Sequence, residues 1–571
     1  MENKEEDLIG FNQNIEENQV IDNQNNSCSK KKIFIIMFIS VLIIASGMTL
    51  LYFFYLKKDK NKDNKNEGKV EDSLLQNYNL KAVFYTEENN IKGSLGRSSD
   101  EVLEMNIDGI KVYNTNNFTF DKAGNHIVYI LLNLTKMDSL GSLFYENQYL
   151  KSVHFAQNLD TSNIQKLDSM FDSCSSLTSI DFSNFNTENV YDMTKMFYNC
   201  SSLTSIDISH LNTKNVMRMN EMFEHCESLI SIDLSKLNLS KVISMQYMFY
   251  YCSSLESINL SNLNLAKLDT VYCIFKYNKK LTSINLKNVR TPSLADMAGM
   301  FEGCESLKSI DLSSLNTSKV VRFSSLFEDC YNLISIDISN FKTDMASGFD
   351  RIFSGCMSLT SIDISHFNFS RAVFVGNMFS SCHKLKTIDI SNMKIDNLVH
   401  FYRVFSNCTS LEKIIMPKSR IKVLDIFGLF NKCSKLTSID LSCFDVENVK
   451  DFSFMFYDCQ SLMSVDLSTF KPANLGYLND MFSHCFSLTS IDLSSFDTSN
   501  VLNFNNMFSY CYNLTYIDIS SFTIPTDSKN YIFGLFDNNL PKNGSLKINK
   551  EFYNKIKNKF IENWDIKLFG Q

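Results

Sequence analysis

Two columns of chemically capable side chains run through this sequence at a fixed spacing. Cysteines at 174, 200, 226 and 252 lie 26 residues apart, as do those at 304, 330, 356, 382 and 408, and again those at 433, 459, 485 and 511. Asn278 stands where the step from 252 to 304 skips a thiol, and one residue is lost between 408 and 433. Zinc would need paired thiolates and four converging ligands, and no C-x-x-C occurs. Disulfides between neighbouring coils are disfavoured as well, because side chains stacked in parallel about 4.8 Å apart do not suit a torsion near 90°. The column therefore reads as buried free thiols, and Asn147 and Asn278 within it suggest a small group bonded to loop backbone. Cys28, Cys273 and Cys443 fall outside the column, Cys28 as an acylation candidate.

The second column is acidic: Asp181, Asp207 and Asp233, then Asp311, Asp337, Asp363 and Asp389, then Asp440, Asp466, Asp492 and Asp518. Asn259, Asn285 and Ile415 interrupt it. Carboxylates one coil apart repel by roughly 1 kcal/mol per pair even in water. Either the flanking serines relieve this by hydrogen bonding, or the row gathers cations or a basic partner. Near Ile415 the pattern also turns basic, with Lys418, Arg420 and Lys422 after Pro417. The eight histidines have no nucleophile or carboxylate at a repeat offset, and no phosphate loop or nucleophile elbow is present. The expectation is a non-enzyme without catalytic, cofactor or metal residues. A net charge of −8 gives no footprint for nucleic acid.

The residues between the columns indicate what must hold them. One period reads Met-Phe-x-x-Cys-x-x-Leu-x-Ser-Ile-Asp-Leu-Ser-x-Phe-x-Thr-x-x-Val-x-x-Met-x-x, and fourteen copies run from Phe171 to about Ser520, with a worn copy at Leu143-Phe144. Ile180 and Phe182 share one face of a short strand, and Ser179, Asp181 and Ser183 the other. Val190, Met193, Phe197 and Cys200 fall at i, i+3, i+7 and i+10, which predicts a short helix. Such a unit cannot bury its apolar face alone, whereas stacked copies can. The predicted fold is thus an α/β repeat solenoid, right-handed, with a parallel sheet on one face, short helices on the other and a spine of phenylalanines from Phe171 to Phe508. Only 18 Gly and 5 Pro occur in 571 residues, so the turns must be made by Ser, Asn and Asp.

The flanks divide the rest. Residues 1–32 form a polar tail. Residues 33–56 carry no charge and, at 1.5 Å per residue, are long enough for a transmembrane helix. A cleaved signal peptide, with Ala45, Ser46 and Gly47 as the small residues, is the rival reading, opposed by the polar leader and the length of the run. Residues 57–74 read as a charged stalk, 75–140 as a small β domain, 141–540 as the solenoid and 541–571 as a cap whose helix carries Phe552, Ile556 and Phe560. Lys30, Lys31 and Lys32 precede the apolar run, but Lys57, Lys58, Lys60, Lys62, Lys65 and Lys69 follow it. Counted alone, these place the repeats in the cytoplasm.

The L-x-x-I-x-L strand is that of a leucine-rich repeat. The variant Met196-Phe-Tyr-Asn-Cys-Ser-Ser-Leu203 closely resembles the 26-residue repeat of BspA-like surface proteins. Ile107-Asp-Gly-Ile-Lys111 and Leu540-Pro-Lys-Asn-Gly-Ser-Leu-Lys-Ile548, followed by Trp564, resemble the flanks of that family. The resemblance implies surface display, with the tail cytoplasmic, one membrane helix and the repeats outside. It also implies attachment to or recognition of host, matrix or cell-surface molecules, protein or glycan. The alternative is an intracellular membrane-tethered scaffold. The eleven aspartates with Lys418, Arg420 and Lys422 are the expected interaction surface.

Overall fold

The computed structural model describes residues 74–157, 159–523, 532–536, 540–557 and 564–570. The tail, the apolar run 33–56 and the stalk up to residue 73 lie outside them. The chain divides into units 1–74 and 75–571, and the sheets, the coils and the closing helix belong to the second.

Six strands come first: β1 Leu80–Thr86, β2 Ile91–Ser94, β3 Val102–Ile107, β4 Ile110–Tyr113, β5 Asn117–Phe120 and β6 Gly124–Leu132. Asp108 and Gly109, both at positive φ, turn β3 into β4, as their residue types suit. The main sheet runs β4-β3-β6-β1 and then continues into β7 Leu150–Phe155 and β8 Ser179–Asp181. Because β7 pairs antiparallel with β1 and parallel with β8, the first coil of the repeat has its open edge covered by this sheet.

From β7 onward the chain coils. Strands of three residues, such as Ser231–Asp233, Ser257–Asn259 and Ser283–Asn285, pair in parallel and in register, Ile232 beside Ile258 beside Ile284. A second line of single bridges runs down another side, from Ser139 through Lys166, Asp192, Arg218 and Ser244 to His400. Inside, phenylalanine rings stack from Phe144 to Phe536 with centroids 5.3–6.0 Å apart. Offset ring pairs of this kind add about 0.5–1.5 kcal/mol each beyond area burial, so neighbouring coils are strongly coupled.

The expected helices are not there, and the fold is a β-solenoid rather than an α/β one. Between Met193 and Cys200 the amides alternate. Those of Met193, Lys195, Phe197 and Asn199 donate to carbonyls of the next coil (Arg218, Asn220, Met222 and Glu224; 2.7–3.0 Å), and those of Met196, Tyr198 and Cys200 to the residue three back (3.1–3.2 Å). A helix would send every amide four residues back. Lys195 and Asn199 take φ of 57° and 55° at the third position of successive turns, the position at which type II turns need positive φ. The apolar spacing is satisfied by a spiral of turns stacked on its neighbour. An α-helix, α1 Lys550–Ile556, follows the last coil, with Asn549 capping the amides of Glu551 and Phe552. It buries Phe552 and Ile556, while Phe560 lies outside the described residues. No helix among the described residues is long and apolar enough to cross a membrane.

Candidate functional site

The cysteine column is structural. All fifteen cysteines of the described residues are free and buried. Each thiol in the column donates to the carbonyl of a phenylalanine one coil back: Cys200 to Phe171 (3.2 Å), Cys226 to Phe197 (3.1 Å), Cys382 to Phe353 (3.2 Å). Burial pushes the Cys226 and Cys408 thiols up to about 12, which leaves them inert as nucleophiles and ligands. Asn147 occupies the same slot and donates to Ser94 O (3.0 Å). The described residues contain no group of His, Cys, Asp and Glu suited to a metal ion.

The aspartate column has a local task at every coil. The amide of Ser183 donates to Asp181 Oδ1 at 2.9 Å, and the same bond from the residue two positions on recurs at all eleven aspartates, at 2.8–3.1 Å. These are Asx turns, which end each strand without glycine. The Ser183 amide and hydroxyl hold the Asp181 carboxyl below its usual range, as those of Ser209 and Ser468 do for Asp207 and Asp466. Ten of the eleven keep an outer carboxylate face toward solvent. Asp518 does not: it is buried and ion-paired to Lys547 at 3.2 Å. Asn259 and Asn285 make the same turn without charge, over a shallow groove of about 780 Å³ along the strands at Ile206, Ile232, Ile258 and Ile284.

One coil breaks this pattern, with a physical reason. Ile415 pairs beside Asp389, and the residue two positions on is Pro417, which has no amide to donate. An aspartate at 415 would lose its turn partner. Here the strand face opens into a depression of about 1030 Å³ floored by Ile414, Ile415, Met416 and Pro417. Its rim brings together Lys418 and Arg420, named from sequence, with Lys413 and Lys471, which were not. Arg420 sits 3.6 Å from Asp445. Lys422 does not join them; it belongs to the strand Ile421–Asp425, which pairs with Val399–His400 and Phe444–Asp445 on another side of the coil.

An aromatic edge near this coil was also missed. Phe374 is half exposed and stacks on His400 at 5.6 Å, and Arg403 lies 4.9 Å over the Phe427 ring. Phe427, Phe454, Tyr457, His484 and Tyr510 then follow at 4.4–5.7 Å. Arg403, Phe454, His484 and Tyr510 occupy the positive-φ slots of their turns. The available signal was bulky side chains standing where other coils place Gly355 or Gly428.

Comparison with known proteins agrees with this architecture. Residues 115–229, 203–312, 295–419 and 424–539 match the family described as Mycoplasma protein of unknown function, DUF285. Residues 376–471 match the BspA type leucine-rich repeat region. No curated protein matches. Among solved structures, a leucine-rich cell surface protein from Faecalibacterium prausnitzii is 15% identical over 71% of this chain and 87% of its own, with a TM-score of 0.27. A leucine-rich-repeat protein from Leptospira interrogans is 13% identical over 63% and 96%, with a TM-score of 0.21.

Proposed function

Because the chain belongs to the DUF285 family and carries BspA-type leucine-rich repeats, we propose that it is a non-enzymatic surface protein that uses its solenoid to recognise or adhere to molecules of host, matrix or neighbouring cells. The observation that carries this reading is the strand face itself, an array that presents Ser, Asp and Ser at most coils. A face already ordered costs little to order on binding, and chemistry repeated every ~4.8 Å suits weak multivalent attachment. The uncharged run 33–56 supplies the membrane attachment in this reading, with the repeats outside the cell. Protease treatment of intact cells tests the location: the repeats should be clipped before the membrane is permeabilised. Their survival would favour the intracellular scaffold, which the lysines following the run support. Immobilised full-length protein should then retain cells or matrix proteins. Asp311→Asn, Asp337→Asn, Asp363→Asn and Asp389→Asn together keep the turn acceptor and remove only charge, so weakened retention would assign the contact to the acidic ladder. Absence of retention on every surface tried would sink the adhesion reading.

A further inference from the structure

The break in the ladder also has a consequence for what is bound. Resting on the surface-recognition reading above, we propose that the depression at Ile415 is a binding site for a short acidic peptide segment, one or two carboxylates beside an apolar side chain. Three observations point to that partner chemistry.

The first is charge. Lys413, Lys418, Arg420 and Lys471 surround one depression on a chain whose net charge is −8. Among the described residues the three lysines make no ion pair, and the Arg420 guanidinium, largely exposed, reaches one carboxylate at 3.6 Å. Against these four cations the lining holds one carboxylate, Asp440, and Arg420 has one weak partner, Asp445, so the site keeps an excess of positive charge complementary to an anion from outside.

The second is the floor. Ile415 is 42% exposed at a position where the neighbouring coils present the carboxylates of Asp389 and Asp440. Met416 and Pro417 extend it, so an apolar group can be buried between the cations, where the local dielectric strengthens their pull on a carboxylate.

The third is the boundary. Asp363 and Asp389 continue the strand face on one side, Asp440, Asp466 and Asp492 on the other. Strands lie ~4.8 Å apart, so the stretch free of acidic groups between Asp389 and Asp440 is about 10 Å long. A long polyanion laid along the solenoid would run onto aspartates in both directions. Negative charge must be confined to one or two groups, which a peptide offers and a sulfated polysaccharide does not.

The test uses the full-length chain in mild detergent and three fluorescent probes: a hexapeptide with two glutamates between leucines, the same peptide with glutamines, and a sulfated polysaccharide. The acidic peptide should bind at least tenfold more tightly than its glutamine form, with affinity falling as salt rises. Lys418→Glu with Arg420→Glu should abolish the difference. Ile415→Asp, which restores the repeat's own residue, should weaken binding severalfold, and Asp311→Asn should not. Unchanged thermal unfolding of each variant shows that the coil is intact; where the double charge reversal fails this check, Lys418→Gln with Arg420→Gln replaces it. Equal binding of the two peptides, indifference to the charge-reversing or glutamine variants, or tighter binding of the polysaccharide would each overturn the assignment. Cell retention by the Lys418→Glu, Arg420→Glu protein is read separately: if it persists, the adhesion reading stands without this groove.

Discussion

At the scale of single residues, the columns that looked chemical are hydrogen-bonding devices, and the exceptions to them are where energy is misplaced. Asn278 fills the slot of a column cysteine, is fully buried, and has neither amide atom paired. An unsatisfied buried polar group costs about 1–3 kcal/mol. Asn278→Cys should therefore stabilise the protein by about 1 kcal/mol, read as a higher urea midpoint, since a thiol there can donate to Phe249 O as Cys252 does to Phe223 O (3.0 Å). Glu224 is a second exception. Burial, and then the charge of Glu221, push its carboxyl up to about 7. A carboxyl raised above its unfolded value of ~4.3 favours the folded state fully only below that value, and loses this advantage as pH rises through about 7. Glu224→Gln should match the parent in thermal midpoint at pH 4 and exceed it at pH 8. A difference that does not grow with pH would show that the carboxyl is not desolvated.

At the scale of elements, the strand was legible and the element after it was not. Alternation in Ser-Ile-Asp fixes which side chains face inward, and Ile180, Ile232 and Ile258 do so. It says nothing about where the amide two residues on will point, so the serine hydrogen bonds and the Asp turns, each expected from the sequence, could not be joined into one Asx turn at Asp181 and its equivalents. The spacing of Val190, Met193, Phe197 and Cys200 matches a helix, but so short a pattern cannot distinguish a helix from turns whose amides alternate between neighbours. The missed clue was glycine: Gly299, Gly303, Gly355 and Gly428 all have positive φ in the turn slots and would be poor choices inside helices. The basic groove was half legible, because Lys418 and Arg420 are close in sequence, whereas Lys413 opens the strand before them and Lys471 arrives from two coils further along the chain. The turn geometry makes its own prediction. Lys432 is exposed, has φ of 61° and holds no ion pair among the described residues, and a left-handed non-glycine residue costs about 1–2 kcal/mol. Allowing for the extra chain entropy of glycine, Lys432→Gly should stabilise by roughly 0.5–1 kcal/mol, seen as slower hydrogen exchange at the Cys433 and Leu436 amides.

At the scale of the whole solenoid, every coil leans on the one before and the one after, so stability is a sum of neighbouring interfaces rather than one cooperative core. The chain closes its last interface with care. The strands Tyr516–Ile519, Gly544–Asn549 and Trp564–Phe569 continue the parallel sheet, and Gly544 leaves room for the Trp564 ring, which a Cβ would meet at 2.6 Å. Between the last two, α1 inserts Phe552 against Phe504 and Phe522 at 5.7 and 5.9 Å. Phe552→Ala removes a fully buried ring, a loss of about 3–5 kcal/mol where the site cannot collapse. In a single-core protein that loss would lower the protection of every slowly exchanging amide. Here it should fall on the coils that α1 covers. Amides around Leu493, Phe508 and Phe522 should exchange tens to hundreds of times faster, while those around Phe171, Phe197 and Phe223 keep the parent rate. Uniform loss along the chain would mean that the stack unfolds as one unit and that the aromatic spine couples coils far beyond nearest neighbours.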